Sequence, residues 1–166
     1  MKTFCLTKVI VVFLLLCTNV IQAQTTQINL NQVELMKQFI GSWKCDMAKD
    51  TTKFWDSKSY GTGLEGNFKY VTKDKMVLEG KELWGYDRKT DKFILTSMIK
   101  GMDIEIYAVW FISKNKYIVV PFSDISNPEK ASFKVEGDIK SPDIFIETTI
   151  VKDKPVKTDN WTHINK

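Results

Sequence analysis

The sequence predicts an all-β protein: an antiparallel up-and-down β-barrel of about 8–10 strands that follows one short N-terminal helix. Short segments in which apolar and polar residues alternate recur along the chain after residue 41, and this period of two is typical of strands. Clusters of turn-forming residues separate the segments at short, regular intervals. No helical pattern lies between them, so consecutive strands are expected to pair as hairpins.

The first 24 residues have the organisation of a secretory signal peptide. Lys2 and Lys8 give a basic start, and the apolar run at residues 9–16 is shorter than the roughly 20 residues that a membrane-spanning helix needs. We therefore predict a signal peptide at residues 1–24 and a barrel domain at residues 25–166. The protein is expected to be exported, to the periplasm or the extracellular space.

Two alternatives to a cleaved signal peptide are a retained membrane anchor and a lipid attached to Cys17. The apolar run is too short for the anchor. The residues before Cys17 are leucines, whereas a lipoprotein signal places small residues there. We expect no stable membrane insertion of the mature chain.

The mature domain carries little net charge. The whole chain has a formal charge of +4, and the signal peptide removes two lysines and no acid. Lysines and acids are interspersed, as on a solvated surface, which argues against a nucleic-acid partner. The expected state is a monomer or dimer without a cofactor.

Cys45 is the one cysteine that follows the predicted signal peptide. It therefore cannot form an intrachain disulfide. It alternates in step with Trp43 and Met47, which predicts a buried apolar position. A reactive thiol would need an electropositive, partly exposed setting.

The helix is predicted from residue 32 to residue 40. Asn31 is a favourable N-cap, and Glu34 stands where a capping box places its acid. Gly41 follows the last apolar residue, where a glycine can adopt the left-handed conformation that ends many helices.

The strands follow in chain order. The first begins at Gly41, and the others are expected at residues 54–60, 67–72, 76–86, 93–100, 104–113, 117–121, 131–135, 144–151 and 156–164. The hairpin turns are expected at residues 87–92, 100–103, 113–116, 136–138 and 152–155, with an ordinary loop at 122–130. A sandwich also fits this list. The hairpin order favours a barrel, because closing that order removes exposed strand edges.

Phe39-x-Gly41-x-Trp43 directly after the helix, followed by a meander of hairpins, resembles the calycin group of lipocalins and fatty-acid-binding proteins. The hairpin Gly85-Tyr86-Asp87 is similar to that of secreted bacterial lipocalin-like proteins of unknown function. The resemblance implies that Trp43 closes the floor of the barrel. It also implies that Gly41 turns the chain above Trp43 and that Phe39 packs from the helix.

The chain departs from better-known relatives. The haem-binding nitrobindins extend the motif with later glycines, where this chain has Cys45 and Met47. Fatty-acid-binding proteins hold a carboxylate through an arginine near the end of the chain, whereas the last predicted strand has no arginine. The fatty-acid site is therefore not carried over.

His163 is the only histidine of the chain. Its place near the C-terminus resembles the nitrobindin arrangement, in which a histidine is the axial ligand of haem. A structural histidine on a terminal strand is the alternative. A zinc site would need a second histidine or a nearby thiol.

Three further charged residues are candidates for a site. Glu105 and Glu147 lie beside apolar residues and could project into a cavity with raised pKa values, although such acids more often face solvent. Arg88 is the only arginine. It could bind an anion or pair with acids in its own turn.

Aromatic residues indicate a ligand cavity, because apolar and aromatic walls are typical of small-molecule sites. We expect Trp84, Tyr107 and Trp110 in its lining, with Trp161 on the face of the last strand that carries His163. The predicted function is an exported protein that binds an apolar or amphipathic small molecule. The alternatives are an isomerase or hydrolase that uses Glu105 or His163, the haem-binding barrel, and a solid barrel with an accessory role.

Overall fold

A computed structural model of the chain describes residues 29–47, 50–73 and 75–164. Within these residues ten antiparallel strands form a closed barrel, preceded by one short α-helix. The predicted fold class is therefore confirmed. The predicted signal peptide, residues 1–24, lies outside the described residues.

The strands pair in chain order, and the last strand pairs with the first. They are β1 (Gly41–Met47), β2 (Thr51–Tyr60), β3 (Gly63–Thr72), β4 (Lys75–Asp87), β5 (Lys92–Ile99), β6 (Glu105–Ser113), β7 (Lys116–Pro121), β8 (Phe133–Ser141), β9 (Ile144–Val151) and β10 (Lys154–His163). Trp43 lies opposite His163 and Cys45 opposite Trp161 where β1 meets β10. Closure leaves no unpaired strand edge in the sheet.

The helix α1 (Gln32–Met36) continues as a 3-10 turn (Lys37–Phe39). Asn31 caps it as predicted, because its side-chain oxygen accepts a hydrogen bond from the Glu34 backbone nitrogen at 3.1 Å. The Glu34 carboxylate binds the Lys37 ammonium at 2.7 Å instead of returning to the cap.

A buried glutamine attaches the helix to the barrel wall. The side-chain nitrogen of Gln32 donates to the Phe111 carbonyl oxygen at 3.0 Å, and the Phe111 backbone nitrogen donates to the Gln32 side-chain oxygen at 2.7 Å. Both ends of the amide are thus satisfied, as a buried polar group requires. The helix covers the end of the barrel where β1 begins, which we call the closed end.

Trp43 fills the floor of the closed end, as the resemblance implied. Its side chain is 2 % exposed, and its indole nitrogen donates to the Phe39 carbonyl oxygen at 2.9 Å. Gly41 has φ +132°, and a Cβ there would lie 2.3 Å from the His163 Nε2 atom. A side chain is therefore excluded at residue 41 both by backbone conformation and by space.

The turn predicted at residues 136–138 is wrong. β8 runs through these residues and turns at residues 142–143. This strand position requires a glycine because the ring of Tyr117 lies against it. A Cβ at residue 137 would be 2.0 Å from a ring carbon. The glycine serves close packing of an aromatic ring.

Other element boundaries also differ from the sequence predictions. β2 begins at Thr51 and β3 at Gly63, three and four residues earlier than expected. The loop at residues 122–130 contains two 3-10 helices, Phe122–Asp124 and Pro128–Lys130.

Cys45 is buried, as predicted, with 1 % of its surface exposed. Burial is the main cause that raises the pKa of its thiol to about 11. The thiol is therefore protonated at neutral pH and is not a nucleophile.

Candidate functional site

A cavity of about 190 Å³ lies inside the barrel, beyond the aromatic floor of the closed end. Its wall combines aromatic and aliphatic side chains with three charged ones. The lining residues are Phe39, Lys53, Trp55, Glu82, Trp84, Leu95, Tyr107, Tyr117, Val119, Phe133, Val135, Phe145, Glu147 and Trp161. Apolar walls with a few convergent polar groups are typical of small-molecule sites.

The strand period places the charged groups on the cavity wall. Residues two apart in a strand point to the same face, so Lys53 faces inward with Trp55, and Glu82 with Trp84. Glu147 likewise shares the inner face of β9 with a buried phenylalanine. Each charged residue therefore lies two residues further from the closed end than an aromatic residue on the same strand.

Glu147 is held by two aromatic donors. The Tyr117 hydroxyl donates to one carboxylate oxygen at 2.9 Å, and the Trp161 indole nitrogen donates to the other at 2.9 Å. Burial, with this carboxylate beside it, raises the pKa of Tyr117 far above its ordinary value. The phenol is thus a fixed hydrogen-bond donor to Glu147.

Glu82 has one such donor. The Trp84 indole nitrogen donates to its Oε2 atom at 3.2 Å, while no donor within the described residues reaches Oε1. Burial raises the pKa of the Glu82 carboxyl, and the nearby Lys53 ammonium and the Trp84 hydrogen bond only partly oppose this. A carboxyl with a perturbed pKa in a cavity is a candidate functional group.

Lys53 brings a positive charge into the cavity. Its ammonium lies 5.1 Å from the ring centroid of Phe68, 5.5 Å from that of Tyr70 and 5.1 Å from that of Trp161. Burial lowers the pKa of Lys53, but Glu82, Tyr70 and Glu147 outweigh burial, so the pKa lies above its ordinary value. Lys53 is therefore protonated at neutral pH.

Glu105 lies at the opposite end of the barrel from the helix, at the start of β6, and is exposed. It accepts a hydrogen bond from the Tyr107 hydroxyl at 2.7 Å. Tyr107 itself lines the cavity. The pair thus connects the cavity wall with the rim of this second end, which we call the charged end.

The structure brings three of the predicted lining residues together. Trp84, Tyr107 and Trp161 all border the cavity. Trp110 is on the outer face of β6, where the Lys92 ammonium lies 5.0 Å from its ring centroid, and it does not line the cavity. Alternation alone had not decided which face of β6 was inner.

The other two predicted residues lie at the closed end. Arg88 is exposed in the turn between β4 and β5. His163 packs edge-on against Trp43, with ring centroids 4.9 Å apart, and its Nδ1 atom is 3.9 Å from the Asp143 Oδ1 atom. Neither residue lines the cavity, and His163 and Glu105 lie at opposite ends.

The described residues contain no group of three or more histidine, cysteine, aspartate or glutamate side chains that could hold a metal ion. In the same ranges, none of the helices has the length and apolar character needed to cross a bilayer. No protein-family model matches the chain. No curated protein has a significantly similar sequence.

Sequence reasoning missed Lys53 and Glu82 as site residues. A signal was present, because both precede a tryptophan by two positions, as Asp159 precedes Trp161. A charged residue in phase with a buried aromatic residue on a strand must share its inner face. Lysine and glutamate are rarely buried, so the sequence pattern alone favours an exposed position for both residues.

Proposed function

We propose that the protein is an exported, calycin-like carrier that binds one small amphipathic molecule inside its barrel. The observation that supports this most is the cavity of about 190 Å³ with aromatic walls and the charged groups Lys53, Glu82 and Glu147. Binding would exchange the hydration of the apolar part of the ligand for aromatic contacts. The charged groups would orient its polar part.

The cavity size limits the ligand. An engineered cavity of about 150 Å³ in another protein holds benzene, and drug-sized ligands occupy about 300–1,000 Å³. A volume of about 190 Å³ therefore suits one aromatic ring with a short polar chain. A long-chain lipid would not fit without rearrangement of the wall.

The architecture supports the carrier class. A closed meander of ten strands with a helix over one end is compatible with a calycin barrel, and an indole seals the floor as in that group. The proposed export rests on the pattern of residues 1–24.

Ligand extraction and titration test the proposal. Mass spectrometry of organic extracts from natively purified protein should find a bound small molecule in a defined ratio. Because three tryptophans line the cavity, saturable quenching of intrinsic fluorescence should follow the return of that molecule to emptied protein.

A variant that fills the cavity sharpens the test. Val135→Phe adds a ring to the lining and should weaken binding at least about tenfold, which is about 1.4 kcal/mol. Ile106→Phe adds the same ring on the outer face of β6, where Ile106 is 46 % exposed, and should leave binding unchanged. An empty extract and no saturable quenching by any small aromatic compound would refute the carrier.

A further inference from the structure

We propose that the ligand is a small organic cation, an amine on a body of about one aromatic ring, whose charged group binds the Glu82 carboxylate. This inference rests on the proposed carrier function and names the chemical class of its ligand. It is supported by the charge balance of the cavity wall, the aromatic wall and the open side of Glu82.

The cavity wall reverses the charge balance of the chain. The whole chain has 24 lysines and arginines against 20 acids. Among the residues that line the cavity, acids outnumber lysines. These are Glu82 and Glu147 against Lys53.

One inner pair neutralises itself. Lys157 binds Asp159 at 2.6 Å. The cavity lining itself has Lys53 against Glu82 and Glu147, with Glu105 at the rim. An excess of carboxylates in a water-poor site favours a ligand that brings a positive charge, since an uncompensated buried charge is costly.

The aromatic wall already accepts a cation. The ammonium of Lys53 lies over three rings at 5.1–5.5 Å, within the distance of a favourable cation–π contact. Trp55 and Trp84 extend this surface on the side of Glu82, with their ring centroids 6.0 Å apart. A second cation can therefore contact indole faces and a carboxylate together.

Glu82 is the carboxylate with room for a ligand. Both oxygens of Glu147 accept hydrogen bonds from the protein. Glu82 uses only Oε2, for Trp84. An ammonium that binds Oε1 would complete its hydrogen bonds with a charge-assisted one.

An anionic ligand fits this site less well. Lys53 is the cavity group that would attract it, and the charge of Lys53 is already stabilised by both glutamates and Tyr70. The anion would face two carboxylates in a site where like charges repel strongly. The preference for a cation follows.

Binding of a cation is coupled to a proton. Burial raises the pKa of Glu82, and a cation beside it favours the ionised form. Cation affinity should therefore rise as pH increases through that pKa, with proton release on binding below it. The titratable groups on the inner face around Glu82 are Cys45 of β1, Lys53 of β2, Tyr70 of β3, Lys75 of β4, Glu105 and Tyr107 of β6, Tyr117 of β7, Glu147 of β9, and Lys154, Lys157 and Asp159 of β10.

Three probes of nearly equal size test the charge preference in the whole mature protein. They are 2-phenylethylamine, 2-phenylethanol and phenylacetate, titrated by calorimetry or fluorescence. We expect the amine to bind at least about tenfold more tightly than the alcohol, and the acid to bind weakest. Equal or tighter binding of the alcohol or the acid would overturn the inference and leave the carrier function standing.

Glu82→Gln tests the residue. It keeps the size and the acceptor for Trp84, so amine affinity should fall about tenfold while alcohol affinity stays unchanged. Glu79→Gln is the matched control, because Glu79 lies on the outer face of the same strand, 3.4 Å from the Lys100 ammonium, and should bind like the wild type. An unchanged amine affinity in Glu82→Gln would overturn the assignment.

Lys53→Met is a second variant that keeps the test decisive if Glu82→Gln does not fold. It removes the competing cation and keeps contact with the rings, so it should strengthen binding of the amine. The acid should bind more weakly. Stronger acid binding and weaker amine binding would overturn the inference. Failure of all three probes, together with an empty extract, would overturn the carrier function as well.

Discussion

The closed end and the charged end of the barrel use the same alternating strands for different purposes. At the closed end, the Phe39 ring contacts five other aromatic rings at centroid distances of 5.0–6.1 Å. Toward the charged end, Lys53, Glu82 and Glu147 face a cavity. The first arrangement buries apolar surface, whereas the second holds charges away from water at an energetic cost.

We infer that stability and ligand binding depend on different ends of the same sheet, a division that the variants below can test. The closed end supplies stability through ring packing, and the charged end can therefore tolerate groups that reduce it. Four predictions test this division, beginning with the variant for which the largest effect is expected.

Trp43→Ala should have the largest effect. Trp43 is 2 % exposed, so its loss removes a large buried side chain and leaves a cavity, for about 3–5 kcal/mol of unfolding free energy. Trp110→Ala, on the outer face, should lose clearly less. Urea denaturation of both variants measures this, and equal losses would contradict the special role of the closed end.

Gly41→Ala should follow, with a loss of about 1–3 kcal/mol. Its positive φ and the contact with His163 both oppose a side chain. Gly61→Ala is the control, because Gly61 also has positive φ but its Cβ would meet nothing within 4 Å. Thermal unfolding should show the larger loss for Gly41→Ala. A similar loss in both would mean that the contact with His163 is unimportant.

Glu82→Gln should change the pH dependence of stability. The folded-state pKa of Glu82 is raised above its ordinary value of 4.5, so its contribution to stability is present below pH 4.5 and is lost as pH rises through the raised value. The wild type should therefore lose stability relative to Glu82→Gln as pH rises above the ordinary pKa of 4.5 and through the raised one. Urea denaturation of both proteins at a series of pH values checks this. The opposite trend would show that the folded state favours the ionised carboxylate.

Glu105→Gln should have the smallest effect, within about 0.5 kcal/mol. The residue is exposed, and the amide oxygen can still accept the Tyr107 hydrogen bond. Urea denaturation should therefore overlay the wild type. A loss above about 1 kcal/mol would show that the charged end also contributes to stability.

The sequence predicted the barrel well because its signals were local. The period of two from Gly41 onward and the Asn31 cap each depend on residues near one another in the chain. The false turn at residues 136–138 had another origin. Gly137 is needed by Tyr117, twenty residues away, and a long-range contact of this kind leaves no local pattern.

The candidate site was predicted only in part. Trp84, Tyr107 and Trp161 line the cavity, since large aromatic residues are usually turned inward. Trp110 lies on the outer face instead. The sequence could not show this, because both faces of β6 carry apolar residues. Lys53 was missed because its burial depends on compensation by Glu82 and Glu147, which lie on strands distant in sequence.

The pairing of β1 with β10 has a consequence for biosynthesis. The hairpins between them can form during synthesis. The barrel can close only after the last strand has been made, because residues 43 and 163 must pair. A chain that ends before residue 154 would leave β1 and β9 as edge strands with unpaired backbone groups, which can pair with strands of other molecules. The last ten residues of the sheet thus determine whether a newly synthesised chain closes its barrel or remains prone to aggregation.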